Sequence, residues 1–191
     1  MLHDYVLIYK DTMLFPRYNF YISEMVILPK ILPQKNKVKR QFAERIYMNC
    51  IFKELKDLAE ILAAYDVYKH CMYMPTKEKY ELMAKAWLQD ESVKVYACFD
   101  NSNIKGIVVI SMQNSQTAEI LGISTDSCFR RQGIGSFMIK QVIETHNIVE
   151  LYAETDDDAV AFYAKNGFKV TAHIKNYGGQ SVVRYYCVLK T

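Results

Sequence analysis

The chain of 191 residues is 51% hydrophobic and 24% charged, with a formal net charge of +3. A chain of this length and composition can bury a substantial core, which excludes an intrinsically disordered chain, a collagen and a disulfide-held miniprotein. Its five cysteines are odd in number and scattered, with no C-x-x-C pair and no histidine at zinc spacing. The sequence therefore predicts a reduced, cytoplasmic protein without a metal site.

The excess positive charge is confined to the N-terminal part of the chain. Residues 1–44 hold seven basic and four acidic residues, whereas residues 45–191 hold seventeen of each. The single basic run, 35–40, offers too little area for nucleic-acid binding. No apolar run approaches the roughly 18 residues of a membrane span, and the first residues lack the basic region of a signal peptide. We therefore expect neither nucleic acid nor a membrane as a partner.

The first 44 residues are predicted to form a β-rich extension. Residues 5–10 and 18–28 are rich in β-branched and aromatic side chains and are separated by a proline-containing segment, which predicts two short strands in a hairpin. Two further prolines and the basic run mark the best domain boundary. The sequence thus predicts an N-terminal extension over 1–44 and a second domain over 45–191.

The second region alternates strands and helices. Polar and apolar residues that alternate mark the strands, and apolar residues three and four positions apart mark the helices. In chain order we predict a strand over 45–52, a helix starting near Asp57, a helix from Thr76 to about Leu88, strands over 93–99, 104–112 and 117–125, a helix after the turn at 130–135, a strand over 149–153, a helix over 156–165, and strands over 168–174 and 182–189. The three consecutive central strands are typical of an antiparallel meander.

The strongest chemical signal is the turn Arg130-x-x-Gly133-x-Gly135 between a predicted strand and a predicted helix. Amides at a helix N-terminus are unpaired and lie at the positive end of the helix dipole, so glycines there let a pyrophosphate approach the backbone closely. The spacing lacks the third glycine of a dinucleotide fingerprint and the Lys-Ser/Thr of a P-loop. On glycine spacing alone, a tight turn without a ligand is an equally good interpretation.

A second block, Asp156-x-x-Ala159-x-x-Phe162-Tyr163-x-x-Asn166-Gly167-Phe168, follows the first. Together the two blocks resemble the motifs R/Q-x-x-G-x-G/A and N-x-x-A-x-x-F/L-Y-x-x-x-G-F of the GNAT family, the acetyl-CoA-dependent N-acetyltransferases. The resemblance covers residues 45–191. It implies an α+β fold, with a mixed, mostly antiparallel twisted sheet flanked by helices, to which the N-terminal β-rich segment is an addition. It also implies acetyl-CoA as cosubstrate and no metal.

The resemblance assigns both motifs to cofactor binding. The backbone amides of residues 131–136 would hold the pyrophosphate, and the strand before them would bind the pantetheine arm as an added strand. Asp156 departs from the asparagine that is commoner in the family, and we interpret it first as a helix cap. The predicted cofactor-binding residues are Ile123, Ser124, Thr125, Arg130, Arg131, Gln132, Gly133, Ile134, Gly135, Ser136, Asp156 and Phe162.

Two residues are candidate catalysts. Tyr163 aligns with the family tyrosine near the thioester sulfur, so its phenol is a candidate acid for the leaving thiolate, and a core aromatic is the alternative. Glu119 lies as far before the first motif glycine as the general-base glutamate of histone-type members. Strand alternation predicts Glu119, Leu121, Ile123 and Thr125 on one face beside the cofactor arm. The alternative places Glu119 at a solvated strand start, with a water chain as the base.

These residues predict direct transfer of an acetyl group from acetyl-CoA to a primary amine of a small molecule or peptide. Direct transfer is preferred because no cysteine or serine is marked as an acyl carrier, and Tyr73 and Met74 are expected to be pocket walls or core. Two alternatives stay open, a non-catalytic acyl-CoA-binding sensor or interaction module, and a protein that acts mainly through residues 1–44. That segment could cover a sheet edge, build a homodimer or shape the acceptor site.

Overall fold

The structure, a computed structural model, describes residues 5–8, 26–29, 50–177 and 180–191. The chain divides into two units, Met1–Phe42 and Ala43–Thr191. In the first unit, strands β1 (Tyr5–Ile8) and β2 (Val26–Pro29) pair antiparallel, in agreement with the predicted pairing. The rest of the strand ranges predicted for the extension, and residues 45–49 of the next predicted strand, lie outside the described residues.

The second unit carries the remaining elements, and most of them match the predicted order. They are β3 (Ile51–Glu54), α1 (Leu58–Ala63), α2 (Tyr65–Tyr68), α3 (Lys77–Gln89), β4 (Val93–Asp100), β5 (Asn103–Met112), β6 (Thr117–Thr125), α4 (Ile134–His146), β7 (Glu150–Thr155), α5 (Asp157–Lys165), β8 (Lys169–Tyr177) and β9 (Gln180–Lys190). Short 3-10 turns follow α2, over Lys69–Cys71, and β6, over Ser127–Phe129.

The strands of this unit form one seven-stranded sheet in the order β3-β4-β5-β6-β7-β9-β8. Every neighbouring pair is antiparallel except β6 and β7, which run parallel. A parallel pair needs a crossover connection, and α4 provides it. The sheet confirms the predicted fold class, a mixed and mostly antiparallel sheet flanked by helices.

Two apolar layers cover the two faces of the sheet. On one face, Ile107 and Val109 of β5 pack with α1, α2 and α3, and on the other face Val108 and Ile110 pack with α4 and α5. Successive side chains of a strand point to opposite faces, which is why β5 serves both layers. The central strands are therefore the most deeply buried part of the described chain.

The single helix predicted from Asp57 is in fact two. Asp57 does cap α1, since its carboxylate accepts a hydrogen bond from the Glu60 amide at 2.8 Å. The helix ends at Ala64, which has φ −87° and ψ 2° and turns the chain into α2. The prediction of one continuous helix was wrong because the apolar spacing of three and four continues across the break.

Candidate active site

The parallel strands β6 and β7 separate from each other along their length. They pair only from Thr117 opposite Glu150 to Glu119 opposite Tyr152. Beyond that pair, β6 continues to Thr125 without a β7 partner. The separation leaves a wedge-shaped opening between the strands, and the edge of β6 is exposed to it.

The register of β6 on β5 decides which backbone groups face the opening. Asp126 donates its amide to the Lys105 carbonyl at 2.9 Å, and hydrogen-bonded residues alternate along an antiparallel pair. Ser124 therefore directs its backbone groups toward β5, while Ile123 and Thr125 direct theirs into the opening. The hydroxyl of Ser124 is also engaged, because it donates to the backbone of α2 at 2.8 Å.

The turn before α4 presents a helix N-terminus to the same region. Gly133 occupies the N-cap with φ 88°, a left-handed conformation that favours glycine, and Arg131 is also left-handed at 61°. A glycine N-cap has no side chain to bond the first amides of the helix, so those of Ile134, Gly135 and Ser136 are directed outward. Gln132 braces the turn by donating to a backbone carbonyl at 3.1 Å. This geometry suits an anion.

The two sequence motifs contact each other. A Cβ added to Gly135 would lie 2.8 Å from the Phe162 ring, so the glycine lets α5 pack closely on the start of α4. Asp156 stands at the N-cap of α5, as predicted, but its side chain makes no capping hydrogen bond. Its carboxylate lies 3.6 Å from Arg184 instead, so the interpretation of the Asp156 side chain as a cap was wrong.

Tyr163 is 5% exposed and packs edge to face on Phe162 and Phe168, each at 5.2 Å between ring centroids. Burial is the main cause that raises the pKa of its phenol, and the neighbouring Cys187 and Cys71 thiols add to it. The phenol is therefore protonated at neutral pH and can donate a proton. Its place in the core and its position beside Cys71 agree with both interpretations made from the sequence.

Cys71 is a residue of this region that the sequence did not mark. It ends the 3-10 turn after α2, and its Sγ donates to the Tyr68 carbonyl at 3.1 Å. Cys71 as a residue is exposed, but desolvation of its sulfur raises the pKa of the thiol to about 12, against the opposing effect of backbone hydrogen bonds that include one from Ile123. The thiol is therefore protonated at neutral pH, at the edge of the opening.

A β-bulge in β6 changes the predicted arrangement of its side chains. Val109 lies opposite Gly122 but Ile110 lies opposite Ile120, so Leu121 is an extra residue. As a result, Glu119 and Gly122 lie on one face of the sheet and Ile123 lies on the other. A Cβ added to Gly122 would lie 2.2 Å from a tyrosine hydroxyl of α2, so this face meets that helix closely.

The expectation that Glu119, Leu121, Ile123 and Thr125 share one face was therefore wrong. The side chains of a strand alternate between the two faces only while both paired strands advance by one residue at a time. The bulge inserts one extra residue into β6 after Glu119. The carboxylate of Glu119 is on the face of α2, and the side chains of Ile123 and Thr125 are on the other. The backbone of Ile123 and Thr125 nevertheless borders the opening, because their peptide groups lie in the plane of the sheet.

Tyr152, which the sequence did not mark, lies beside Glu119, and a second unmarked tyrosine, Tyr186, lies beside Tyr152. Tyr152 donates its hydroxyl to the Glu119 carboxylate at 3.4 Å, and its ring lies 5.5 Å from that of Tyr186. Alternation along β7 gives the only sequence signal, since Tyr152 lies between the apolar Leu151 and Ala153. The loop before α3 holds Tyr73 and Met74, which are 83% and 70% exposed, so neither is core.

The chain belongs to the GNAT family of acetyltransferases, because the sequence model of the Acetyltransferase (GNAT) family matches residues 58–168. This confirms the resemblance and the predicted class, an acetyltransferase with acetyl-CoA as cosubstrate. A comparison with curated protein sequences gives no significant match.

Several solved structures share the fold. A GNAT acetyltransferase from Elizabethkingia anophelis with acetyl-CoA bound is 20% identical and has a TM-score of 0.56 over 75% of this chain and 99% of that chain. The ribosomal-protein-S18-alanine N-acetyltransferase of Escherichia coli is 17% identical, with a TM-score of 0.59 over 74% and 93%. Ard1 from Thermoplasma volcanium is 25% identical, with a TM-score of 0.57 over 74% and 97%.

Within residues 5–8, 26–29, 50–177 and 180–191, no helix is long and apolar enough to cross a membrane. In the same ranges, no group of three or more histidine, cysteine, aspartate and glutamate side chains is arranged to hold a metal ion.

Proposed function

We propose that the protein transfers an acetyl group from acetyl-CoA directly to a primary amine. The observation that carries this proposal is the opening between β6 and β7, where β6 continues beyond Glu119 to Thr125 without a β7 partner. The amine nitrogen would form a bond to the thioester carbonyl carbon, and the bond from that carbon to sulfur would break. The amine must lose a proton and the leaving thiolate must gain one.

Donor binding is supported by backbone groups along the opening. The amides of residues 133–136 suit the pyrophosphate because they lie at the positive end of α4. The peptide groups of Ile123 and Thr125 are directed into the opening, and those that the Cys71 sulfur does not engage could bond the amide groups of a pantetheine arm as an added strand. Arg130 and Arg131 flank this turn and add positive charge near the phosphates.

Proton transfer is assigned to two residues of different character. Tyr163 is the candidate acid for the thiolate, because a phenol carries a proton at neutral pH and this one interacts with Cys71 at the edge of the opening. Glu119 is the candidate base, because it ends the paired part of β6 and lies on the face of α2. It would take the proton of the amine directly or through water.

Direct transfer is favoured over an acetylated cysteine. Cys71 is placed to compete for this role, since its sulfur interacts with both Ile123 and Tyr163. However, the nucleophile in such a step is the thiolate, and the thiol pKa of about 12 leaves almost none at neutral pH.

Two solved structures of the same fold have names that state an amine acceptor. One is named as a spermidine N-acetyltransferase, from Vibrio cholerae, and another as a ribosomal-protein alanine N-acetyltransferase. These names span a small molecule and a protein. The acceptor proposed for this chain is accordingly an amine of a small molecule or a peptide.

The test is thiol release from acetyl-CoA with a panel of primary amines. Tyr163→Phe should lower kcat roughly 100-fold, because general acid catalysis contributes at least that much, while the ring still fills its place in the core. Tyr185→Phe is the matched control, since Tyr185 bonds Asp157 of the same helix at 2.5 Å. Equal kcat in both variants across pH would remove Tyr163 from the mechanism. Tight acetyl-CoA binding without thiol release from any amine would favour the sensor.

A further inference from the structure

The side chains at the inner end of the opening form a small aromatic and acidic surface. We use the name "Glu119 surface" for Glu119, Tyr152 and Tyr186. The pair of Glu119 and Tyr152 is the last one between β6 and β7 before the strands separate. The pair therefore borders the inner end of the opening on the face of α2.

The three side chains share one face of the sheet. Leu151 and Ala153 of β7 are buried on the face of α4 and α5, so Tyr152 between them points to the opposite face. Its hydroxyl reaches Glu119 at 3.4 Å, and its ring lies 5.5 Å from Tyr186 at an interplanar angle of 43°. Tyr186 is 41% exposed, so the surface is open to a ligand.

Glu119 of β6 and Glu154 of β7 differ in the cations that surround them. Glu154 is surrounded by Lys175 at 2.9 Å, Arg184 at 3.3 Å and His173 at 3.5 Å, so its charge is balanced within the protein. Among the residues that the structure describes, no lysine, arginine or histidine lies within ion-pair distance of Glu119. Its described polar contact is the neutral phenol of Tyr152.

A carboxylate beside a tyrosine that packs on a second tyrosine is suited to a cation that carries alkyl groups. The faces of tyrosine rings attract ammonium groups within about 6 Å, and a carboxylate adds opposite charge. We propose that the Glu119 surface binds the acceptor as an alkylammonium ion, and that Tyr152 and Tyr186 determine its specificity. The proposal rests on the function proposed above and narrows the acceptor to aliphatic amines that are cationic at neutral pH.

The experiment separates recognition from catalysis by means of a cation that cannot be acetylated. Choline and its uncharged isostere, 3,3-dimethyl-1-butanol, have the same shape and differ in charge. Binding of each to the protein saturated with acetyl-CoA is measured by titration calorimetry or by ligand-detected NMR. We expect choline to bind about three- to tenfold more tightly than the isostere, as cation–π contacts at partly exposed sites provide.

Variants test whether the Glu119 surface causes the tighter binding of choline. Tyr186→Phe should keep it, because the ring face is retained, whereas Tyr186→Leu and Glu119→Gln should reduce it. Tyr185→Leu, on the opposite face of β9, is the matched control and should not change it. The same loss of recognition should be visible in catalysis. In Tyr186→Leu the KM for alkylamine acceptors should rise, with little change in kcat.

Two results would overturn the proposal. One is equal binding of choline and its isostere to the unmodified protein, and the other is an unchanged binding ratio in Tyr186→Leu. If alkylamines or other amines were still acetylated in either case, the proposed function would stand while this recognition would fall. If no amine released thiol, the proposed function would fail, and the choline ratio would still report on the surface.

Discussion

The strands on the two sides of β6 differ in how they are buried. Residues 105–110 of β5 are buried without interruption, because helices cover both faces there. Along β7, buried and partly exposed residues alternate, and several side chains of β8 and β9 are exposed. The β5 side therefore carries most of the stabilising burial, whereas the β7 side leaves one face of polar and aromatic side chains available for a ligand.

The largest expected effect compares the two sides by the same substitution. Ile110→Ala removes a side chain that is 0% exposed, and Ile174→Ala removes one that is 72% exposed. We expect the free energy of unfolding to fall by about 2–5 kcal/mol in the first variant, because a core cavity adds to the lost burial. In the second the change should stay within about 0.5 kcal/mol. Urea unfolding measures both, and similar losses would show that β8 is as deeply packed in solution as β5.

The contrast also explains which parts of the fold follow from the sequence. β6 was predicted over 117–125 and lies there, because short polar turns bound a clear run of apolar residues. The bulge at Leu121 was missed, since an inserted residue in one strand leaves no mark in that strand's own pattern. The break at Ala64 was missed for a related reason, since apolar spacing continues through it.

The candidate site also contains residues that the sequence predicts and residues that it does not. The glycine turn and Tyr163 could be predicted because each lies in a contiguous motif. Tyr152 and Tyr186 could not, because they meet only through the sheet order, in which β9 lies next to β7 although β8 precedes it in the chain. Sequence patterns describe one element at a time, whereas the face beside Glu119 is assembled from three strands.

A second prediction tests whether the turn before α4 serves binding as well as folding. Gly133 and Gly167 have nearly equal positive φ values, 88° and 87°. Alanine at either position should cost about 1–2 kcal/mol of stability, the usual cost of a left-handed conformation for other residues. Only Gly133→Ala should weaken acetyl-CoA binding, by about tenfold, since it alone lies at the first amides of α4. Unchanged affinity in Gly133→Ala, or an equal loss in Gly167→Ala, would contradict this role for the turn.

The smallest expected effect is a difference between the two sides in their response to acid. On the β5 side, His146 at the end of α4 contacts the Tyr96 hydroxyl at 2.8 Å, and burial lowers the pKa of its imidazole. The unfolded chain then binds the proton more readily, so stability is full above the ordinary histidine pKa of 6.5 and falls as the pH drops below it. His146→Gln, which keeps a neutral hydrogen-bonding group, should remove the part of the loss seen between pH 7.5 and 5.5.

On the β7 side the same reasoning applies at lower pH. Hydrogen bonds from Lys175 are the main cause that lowers the pKa of Glu154 below its ordinary value of 4.5. Its contribution to stability is therefore present above that value and is lost as the pH falls through it toward the lower pKa of the folded state. Glu154→Gln should remove a loss between pH 5 and 3 and leave the loss near pH 6 intact. Urea unfolding at each pH measures both, and a single acid transition removed equally by either variant would mean that the two sides do not respond to acid separately.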